Sequence, residues 1–225
     1  MINSYNYPVN AILILGPTGA GKSPLGDMIA RNGLFQRQCY HLDFGSELRR
    51  AMVSGDSSAI YSKDEIEIIR GVLERGLLLE NEHFPLAKKI ISLFLNRVGF
   101  NDTDILVLNG IPRHAGQAND ISTIATIHAL IILDCPADAI AFRIRDNVGG
   151  DRTERVDDDI TLIGNKLEIF QQRTAPLIEH YAQENRSLYR INITTSMTPA
   201  ETFKNVSALT AVHPPFTLVA EPPKR

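Results

Sequence analysis

The most informative stretch of the sequence is Gly16-Pro17-Thr18-Gly19-Ala20-Gly21-Lys22-Ser23. It fits the pattern G-x-x-x-x-G-K-[ST], follows the apolar run 11–15 and opens a helical pattern. That context is typical of a phosphate-binding loop, because glycines let backbone N–H groups turn inward and the helix N-terminus adds positive partial charge. Lys22 would give a full charge to the β- and γ-phosphates of ATP, and Ser23 a hydroxyl to Mg²⁺. The loop alone does not separate a kinase from a GTPase, an ATPase motor or a switch.

Around the loop, short apolar runs alternate with longer amphipathic ones. The predicted strands are 11–15, 38–42, 104–109, 129–134 and 188–193. The predicted helices are 23–32, 46–53, 63–74, 84–97, 116–126, 137–147 and 159–183. Strands rich in Ile, Leu and Val that alternate with helices indicate a parallel sheet covered on both faces. We therefore predict an α/β P-loop NTPase fold with a five-stranded parallel sheet flanked by helices.

Two stretches interrupt this alternation. Residues 44–97 carry several helices between two strands, far more than one crossover needs, and indicate an inserted helical subdomain. Residues 146–158 are polar and contain two glycines, which favours a short lid loop. The expected organisation is an N-terminal tail (1–10), a P-loop domain (11–209) that contains both interruptions, and a flexible proline-rich tail (210–225).

Composition limits the partners. The formal net charge of -3 offers no broad basic field, so nucleic-acid binding is not expected. Cys39 and Cys135 lie in apolar, strand-like stretches, which favours buried thiols in a reducing compartment. The sequence contains no apolar run of the roughly 20 residues that a membrane helix needs. We expect a cytoplasmic monomer that binds small nucleotides.

Further motifs resemble those of the adenylate kinase family of nucleoside monophosphate kinases. Besides GPTGAGK, the chain has FGSELR (44–49), GLLLENE (76–82), NGIPRHAGQA (109–118) and RVDD (155–158), with KL (166–167) and TAPLI (174–178) following. Their order and spacing match those of the family from residue 11 to 193. The resemblance implies a nucleoside monophosphate (NMP)-binding role for the 44–97 insertion and a short lid that lacks a zinc or β-stranded domain.

The resemblance also assigns residue roles. Arg49 and Arg113 match arginines that hold the monophosphate, Arg155 matches a lid arginine at the transferring phosphoryl group, and Arg143 matches one near the donor. Arg152 has no certain counterpart, but its lid position suggests a phosphate contact. The predicted catalytic set is Lys22, Arg113, Arg152 and Arg155. The predicted ATP site is Gly16, Pro17, Thr18, Gly19, Ala20, Gly21, Lys22, Ser23 and Arg143. The predicted acceptor site is Phe44, Gly45, Arg49, Leu79, Gly110, Arg113 and Gln117.

Gln117 matches the family glutamine that reads the adenine of AMP, so AMP is the expected acceptor. The other interpretation is that Gln117 caps its helix. His114 and His128 are interpreted as structural, because phosphoryl transfer between nucleotides does not need a histidine.

Four positions depart from the family pattern. Asn109 and Ser46 replace aspartates near the Mg²⁺ hydration shell, Asn147 stands at an arginine position, and Lys166 replaces another arginine. Mg²⁺ keeps most of its waters, and these prefer charged acceptors. Our hypothesis is that Asp43 takes over the role lost at Ser46 and Asn109, so that Ser23 and Asp43 form the metal site.

Two alternatives stay open. The acceptor could be another nucleoside monophosphate or small molecule, since Phe44 departs from the family near the expected base pocket. The chain could also be a nucleotide-binding regulator with weakened catalysis, which Asn109, Ser46 and Lys166 favour and the intact loop opposes.

Overall fold

The fold is that of a computed structural model, which describes residues 8–53, 60–76, 78–151 and 160–215, with backbone alone at 160–162. Five parallel strands form one sheet in the order β2-β3-β1-β4-β5. The strands are β1 (Val9–Leu15), β2 (Cys39–Asp43), β3 (Ile105–Asn109), β4 (Ala125–Asp134) and β5 (Ser187–Asn192). The prediction of a five-stranded parallel sheet flanked by helices is confirmed.

Helices connect the strands and cover both faces of the sheet. They are α1 (Lys22–Asn32), α2 (Phe44–Val53), α3 (Lys63–Arg75), α4 (Phe84–Val98), α5 (Ala115–Ser122), α6 (Ala137–Arg145), α7 (Ile160–Ile169), α8 (Leu177–Gln183) and α9 (Pro199–Val212). Ser62 and Thr198 begin α3 and α9 with complete capping boxes, in which the cap hydroxyl and a glutamate three residues later each accept a backbone N–H. These helix starts are therefore encoded locally.

The hydrophobic core has two layers, one on each face of the sheet. One contains Leu13 and Leu108 and extends under α4; the other contains Ile12 and Ile131 and lies under α1. Neighbouring residues of a strand point to opposite faces, so a strand covered on both sides must be apolar throughout. The whole of β3 is buried, including the polar Asn109 at its end.

Several predicted boundaries were wrong. The helix predicted over 116–126 ends at Ser122, because Ala125 already pairs with Val9 as the start of a longer β4. The helix predicted over 159–183 is interrupted by a π-helical turn, Phe170–Thr174, before α8 begins. The helix α9 was not predicted, and it continues past residue 210, where the tail was expected to begin. Lid residues 152–158 and tail residues 216–225 lie outside the described residues.

The sheet topology places the functional motifs together. The glycine loop follows β1, α2 follows β2, and Gly110 follows β3, all at the carboxyl edge of the sheet. Ligands of open α/β sheets bind outside this edge. Across the described ranges no helix is both long and apolar enough to cross a membrane.

Candidate active site

The glycine loop wraps around the N-terminus of α1. Gly19 and Gly21 adopt φ values of 83° and 95°, a region that side chains disfavour. A Cβ at Gly19 would lie 2.9 Å from Cγ1 of Ile144, so this loop also packs too closely to α6 for a larger residue. No side chain caps α1, which leaves its first N–H groups directed at the loop. This arrangement suits a bound anion.

Lys22 reaches back across the loop. Its Nζ donates hydrogen bonds to the carbonyl oxygens of Gly16 and Pro17, each at 2.8 Å. The ammonium group is therefore held at the loop, where its charge would meet phosphate oxygens. Pro17 and Ala20, both predicted to bind ATP, are not on the cleft wall; Ala20 is packed into the core beneath the loop.

Ser23, Asp43 and Asn109 form one hydrogen-bonded group beside the loop. The Ser23 hydroxyl donates to Oδ2 of Asp43, and Nδ2 of Asn109 lies 3.0 Å from the same Oδ2 and 3.2 Å from Oγ of Ser23. The other carboxylate oxygen of Asp43 accepts the backbone N–H of Ser46 at 2.9 Å, which caps α2. The structure therefore brings Asp43 directly to Ser23.

His41 and Asp27 form a second hydrogen-bonded pair, which contacts this group through Asn109. Nε2 of His41 lies 3.4 Å from Nδ2 of Asn109, and Nδ1 of His41 lies 2.9 Å from Oδ1 of Asp27 on α1. The Asp27 carboxylate favours a proton on Nδ1, which leaves Nε2 to accept from the Asn109 amide. One N–H of the amide is thereby directed at His41, which leaves the other directed at Asp43 and Ser23.

The chemistry of this group fits Mg²⁺. A hydroxyl, one carboxylate oxygen and an adjacent loop for phosphates are the sparse oxygen set that Mg²⁺ takes when it keeps several waters. Within the described ranges no group of three or more His, Cys, Asp or Glu residues forms an all-protein metal cage. Of the side chains of Ser23, Asp43 and Asn109, only that of Asp43 carries a formal negative charge.

Arg113 and Arg49 face the same cleft from the acceptor side. Arg113 follows β3 and is half-buried; across the described part of the chain its guanidinium has no hydrogen-bond or ion-pair partner. Burial lowers the pKa of this guanidinium from its ordinary value, which reflects the electrostatic cost of an uncompensated charge. Arg49 on α2 lines the cleft and donates to Oγ of Ser46 at 3.0 Å. Both arginines are available to an anion.

Gln117 lies at the cleft, but both ends of its amide contact backbone. Its Oε1 accepts the N–H of Arg113 at 2.8 Å, and its Nε2 donates to the carbonyl of Leu79. Nε2 of His114 lies 3.3 Å from the same Leu79 carbonyl oxygen. The side chain of His114 also accepts the backbone N–H of Gln117 and so caps α5. Gln117 is thus buried with its amide on two loops, and the helix cap that the alternative interpretation assigned to Gln117 comes from His114.

Arg143 supports the loop from beneath. Its Nε donates to the Gly19 carbonyl at 3.2 Å, and its Nη1 donates to the carbonyls of Thr194 and Met197 at 2.9 and 2.7 Å. Burial lowers its pKa from the ordinary value. Its remaining Nη2 lies near Gly21 and the cleft. The predicted donor contact is therefore limited to this one nitrogen in the observed conformation.

One continuous cleft joins these groups. Its wall contains all seven predicted acceptor residues: Phe44, Gly45, Arg49, Leu79, Gly110, Arg113 and Gln117. The same wall contains six of the loop residues: Gly16, Thr18, Gly19, Gly21, Lys22 and Ser23. Arg152 and Arg155 lie outside the described residues. His128 lies on β4 away from the cleft wall, against Asn10 at 2.9 Å, and burial lowers its pKa.

The sequence prediction missed cleft residues within the lid and after it. Asp151, Lys166, Phe170 and Thr174 line the wall. Lys166 and Thr174 stand in motifs already matched to the family, so their position in the KL and TAPLI stretches was a usable signal. Asp27 and His41 gave no such signal, because their contact depends on how α1 packs against β2.

Some known proteins resemble this chain in sequence or in fold. No family model matches the chain. Adenylate kinase from Haloarcula marismortui is 24% identical over 227 residues, 90% of this chain and 97% of the relative. UMP-CMP kinase 3 from Oryza sativa subsp. japonica is 24% identical over 205 residues, 90% of this chain and 86% of the relative. The crystal structure of an unliganded sugar kinase from Janibacter sp. HTCC2649 superposes with a TM-score of 0.50 at 15% identity, covering 92% of this chain and 97% of that chain.

Proposed function

We propose that this chain, a homologue of the adenylate kinases and related nucleoside monophosphate kinases, transfers the γ-phosphoryl group of ATP to a nucleoside monophosphate, with AMP as the first acceptor. The observation that carries the proposal is one cleft that joins the glycine loop to Arg113, an arginine that has no partner among the described residues. A phosphate-binding loop alone holds one nucleotide. An available arginine on the opposite wall supplies the charge for a second anion.

Phosphoryl transfer needs positioning and charge neutralisation more than covalent chemistry. Lys22 and the N–H groups at the start of α1 would hold the donor phosphates. Arg49 and Arg113 would hold the acceptor phosphate and direct its oxygen at the γ-phosphorus. The Arg113 charge is partly desolvated, so its attraction for an anion is stronger than that of a surface arginine.

Ser23 and Asp43 are the residues that would hold hydrated Mg²⁺, with Asn109 orienting both. When bound there, Mg²⁺ would neutralise part of the negative charge on the donor phosphates. Asp43 is kept in place by its second oxygen, which caps α2, so the carboxylate is oriented before any ligand binds.

A different monophosphate is the second candidate acceptor. The Gln117 amide would have to leave the Arg113 N–H and the Leu79 carbonyl to read adenine. Phe44, an apolar residue that is 4% exposed, lines the same cleft. These two observations weaken base reading by Gln117, which is why a monophosphate with another base is kept as the second acceptor.

An acceptor panel tests the proposal. ADP release coupled to NADH oxidation would be measured with ATP, Mg²⁺ and either AMP, CMP, UMP or GMP, with acceptor-free ATP hydrolysis as the baseline. We expect acceptor-dependent turnover, highest with AMP. Turnover highest with CMP or UMP would establish the second candidate, and ATP binding without any acceptor-dependent turnover would overturn the kinase assignment.

A further inference from the structure

Side chains hold the backbone of Arg113 on both sides. Oε1 of Gln117 accepts its N–H at 2.8 Å, and Oγ1 of Thr174 donates to its carbonyl at 2.9 Å. Both holding residues are 4% exposed, so water has limited access to these part-buried hydrogen bonds. The residue between them is the cleft arginine whose own guanidinium has no partner in the described part of the chain. These two contacts therefore fix the position from which its side chain extends into the cleft.

Thr174 comes from a segment distant in sequence from Arg113. It ends the π-helical turn Phe170–Thr174, in which the N–H of Ala175 bonds to the carbonyl of Phe170 at 2.7 Å. Arg173, in the same turn, forms two hydrogen bonds with Glu80, at 2.6 and 2.9 Å. The contact holds the pKa of the Glu80 carboxyl below its ordinary value. The turn is thus tied to two acceptor-side segments, at residues 80 and 113.

A π-helical turn is unfavourable in isolation and often marks a functional position. Here it directs two neighbouring side chains at two different segments. The Thr174 hydroxyl is not needed to complete its own helix, because it donates to a residue 61 positions away in sequence. Its structural effect therefore falls on Arg113.

We propose that Thr174 is a positioning residue for phosphoryl transfer, which holds the Arg113 backbone so that the guanidinium points at the acceptor phosphate. This inference rests on the proposed function. Geometry at a reacting centre is exacting, since a misplacement of about 1 Å can reduce the rate about 100-fold. Loss of one of the two backbone restraints is expected to have a smaller effect. AMP binding and kcat/KM for AMP should fall about tenfold, and ATP binding should not change.

The test compares Thr174→Val, which removes the hydroxyl and keeps the shape, with Thr174→Ser, which keeps the hydroxyl. Thr202→Val is the matched control, because Thr202 is 3% exposed and its hydroxyl bonds only within α9, to the Thr198 carbonyl at 2.9 Å. AMP binding without ATP, ATP binding without AMP, and kcat/KM for each substrate would be measured for all three variants and the wild type.

We expect Thr174→Val to weaken AMP binding and lower kcat/KM for AMP about tenfold while ATP binding stays within about twofold, since one of two restraints on Arg113 is lost. Thr174→Ser should recover most of the loss, and Thr202→Val should lose only thermal stability. The proposal would be overturned if Thr174→Val had the same kinetics as Thr202→Val. It would also be overturned if Thr174→Val weakened ATP binding and AMP binding equally.

Different results would contradict the proposed function and the positioning role of Thr174. A wild-type protein with no phosphoryl transfer to any monophosphate would contradict the proposed function. An active wild type whose AMP binding does not respond to Thr174→Val would contradict the positioning role alone. Thr174→Ala gives a second hydroxyl-free variant if the valine substitution does not fold, and it is expected to show the same selective loss.

Discussion

At the scale of single residues, Asp43 carries two contacts on its two oxygens. One oxygen caps α2 through the Ser46 N–H, and the other accepts the Ser23 hydroxyl. Its position after β2 was readable from the sequence, because the carboxyl ends of parallel strands share one edge. Which oxygen of Asp43 makes which contact could not be predicted, because it depends on the rotation of the side chain.

Replacing Asp43 by asparagine should raise the Mg²⁺ concentration needed for half-maximal turnover about tenfold or more, because neutral ligands hold hydrated Mg²⁺ less well than a carboxylate. ATP binding without Mg²⁺ should stay unchanged. A Mg²⁺ titration of turnover measures the first effect, and calorimetry in EDTA measures the second. Asp102→Asn removes the same charge at an exposed position before β3, far from the carboxyl edge. An Asp43→Asn titration that matches this control would refute the metal role.

Gln117 shows where residue-level prediction stopped. Its motif pointed to base reading, but its amide contacts the Arg113 N–H and the Leu79 carbonyl. Leu79 is 38 positions away in sequence, and only the folded insertion brings it within hydrogen-bond distance. A motif identifies which residue is near the site, whereas long-range backbone contacts decide what its side chain does there.

At the scale of elements, α1 packs against β2 through Gly26. A Cβ at Gly26 would lie 2.3 Å from the ring of His41, whose side chain is 5% exposed. The ring could not move without releasing its contacts with Asp27 and Asn109. Gly26 is therefore required by packing, although it lies inside a helix.

Gly26→Ala should destabilise the protein by about 1–3 kcal/mol, the usual range for overpacking a core. Gly164 is also inside a helix, but a Cβ there would meet nothing within 4 Å. Gly164→Ala should therefore stabilise by up to about 1 kcal/mol through helix propensity. Urea unfolding of both variants measures the difference. Equal free energies of unfolding for Gly26→Ala and the wild type would contradict the close packing.

Element prediction was most accurate where the pattern was local. The apolar runs placed all five strands within a few residues, except at the start of β4. That start depends on pairing between Ala125 and Val9, which no local window contains. The π-helical turn at Phe170–Thr174 was also missed; its Arg173 and Thr174 side chains contact residues that are distant in sequence.

At the scale of the whole molecule, the sheet buries ionisable groups that resist charging. Burial raises the pKa of the Cys39 thiol to about 12 from its ordinary value of 9.0, and burial also raises that of Tyr181. A thiol with a raised folded pKa contributes stability that is complete below pH 9 and is lost as the pH rises above it, since only the unfolded chain then ionises.

The free energy of unfolding should therefore fall between pH 8 and pH 10. Ionisation of Cys39 in the unfolded chain should account for up to about 1.4 kcal/mol of this loss at pH 10. Cys39→Ala should be less stable than the wild type at pH 8 because of the lost volume, but its stability should decline less with pH. Urea denaturation at several pH values gives both slopes. Identical slopes for the variant and the wild type would show that Cys39 ionises equally in both states.

The topology joins sites that lie far apart in the sequence. The order β2-β3-β1-β4-β5 places the ends of β2 and β3 beside the loop that follows β1, so Asp43, Asn109 and Lys22 border one cleft. The sequence indicated this meeting through motif spacing and through the position of the motifs at strand ends, but the strand order was not predicted. It did not predict the contribution of α7 and the following turn, because these elements reach the cleft through tertiary packing.

The most direct test of the central claim follows the γ-phosphate of ATP. The wild type and Lys22→Ala would each receive γ-labelled ATP, Mg²⁺ and AMP, and the labelled products would be separated by chromatography. The account predicts label in the β-position of ADP for the wild type, and a loss of at least about 100-fold for Lys22→Ala, since a charge at the transferring phosphates supplies several kcal/mol. Circular dichroism of the variant should match the wild type. Label found only in inorganic phosphate, or equal transfer by both proteins, would contradict the claim.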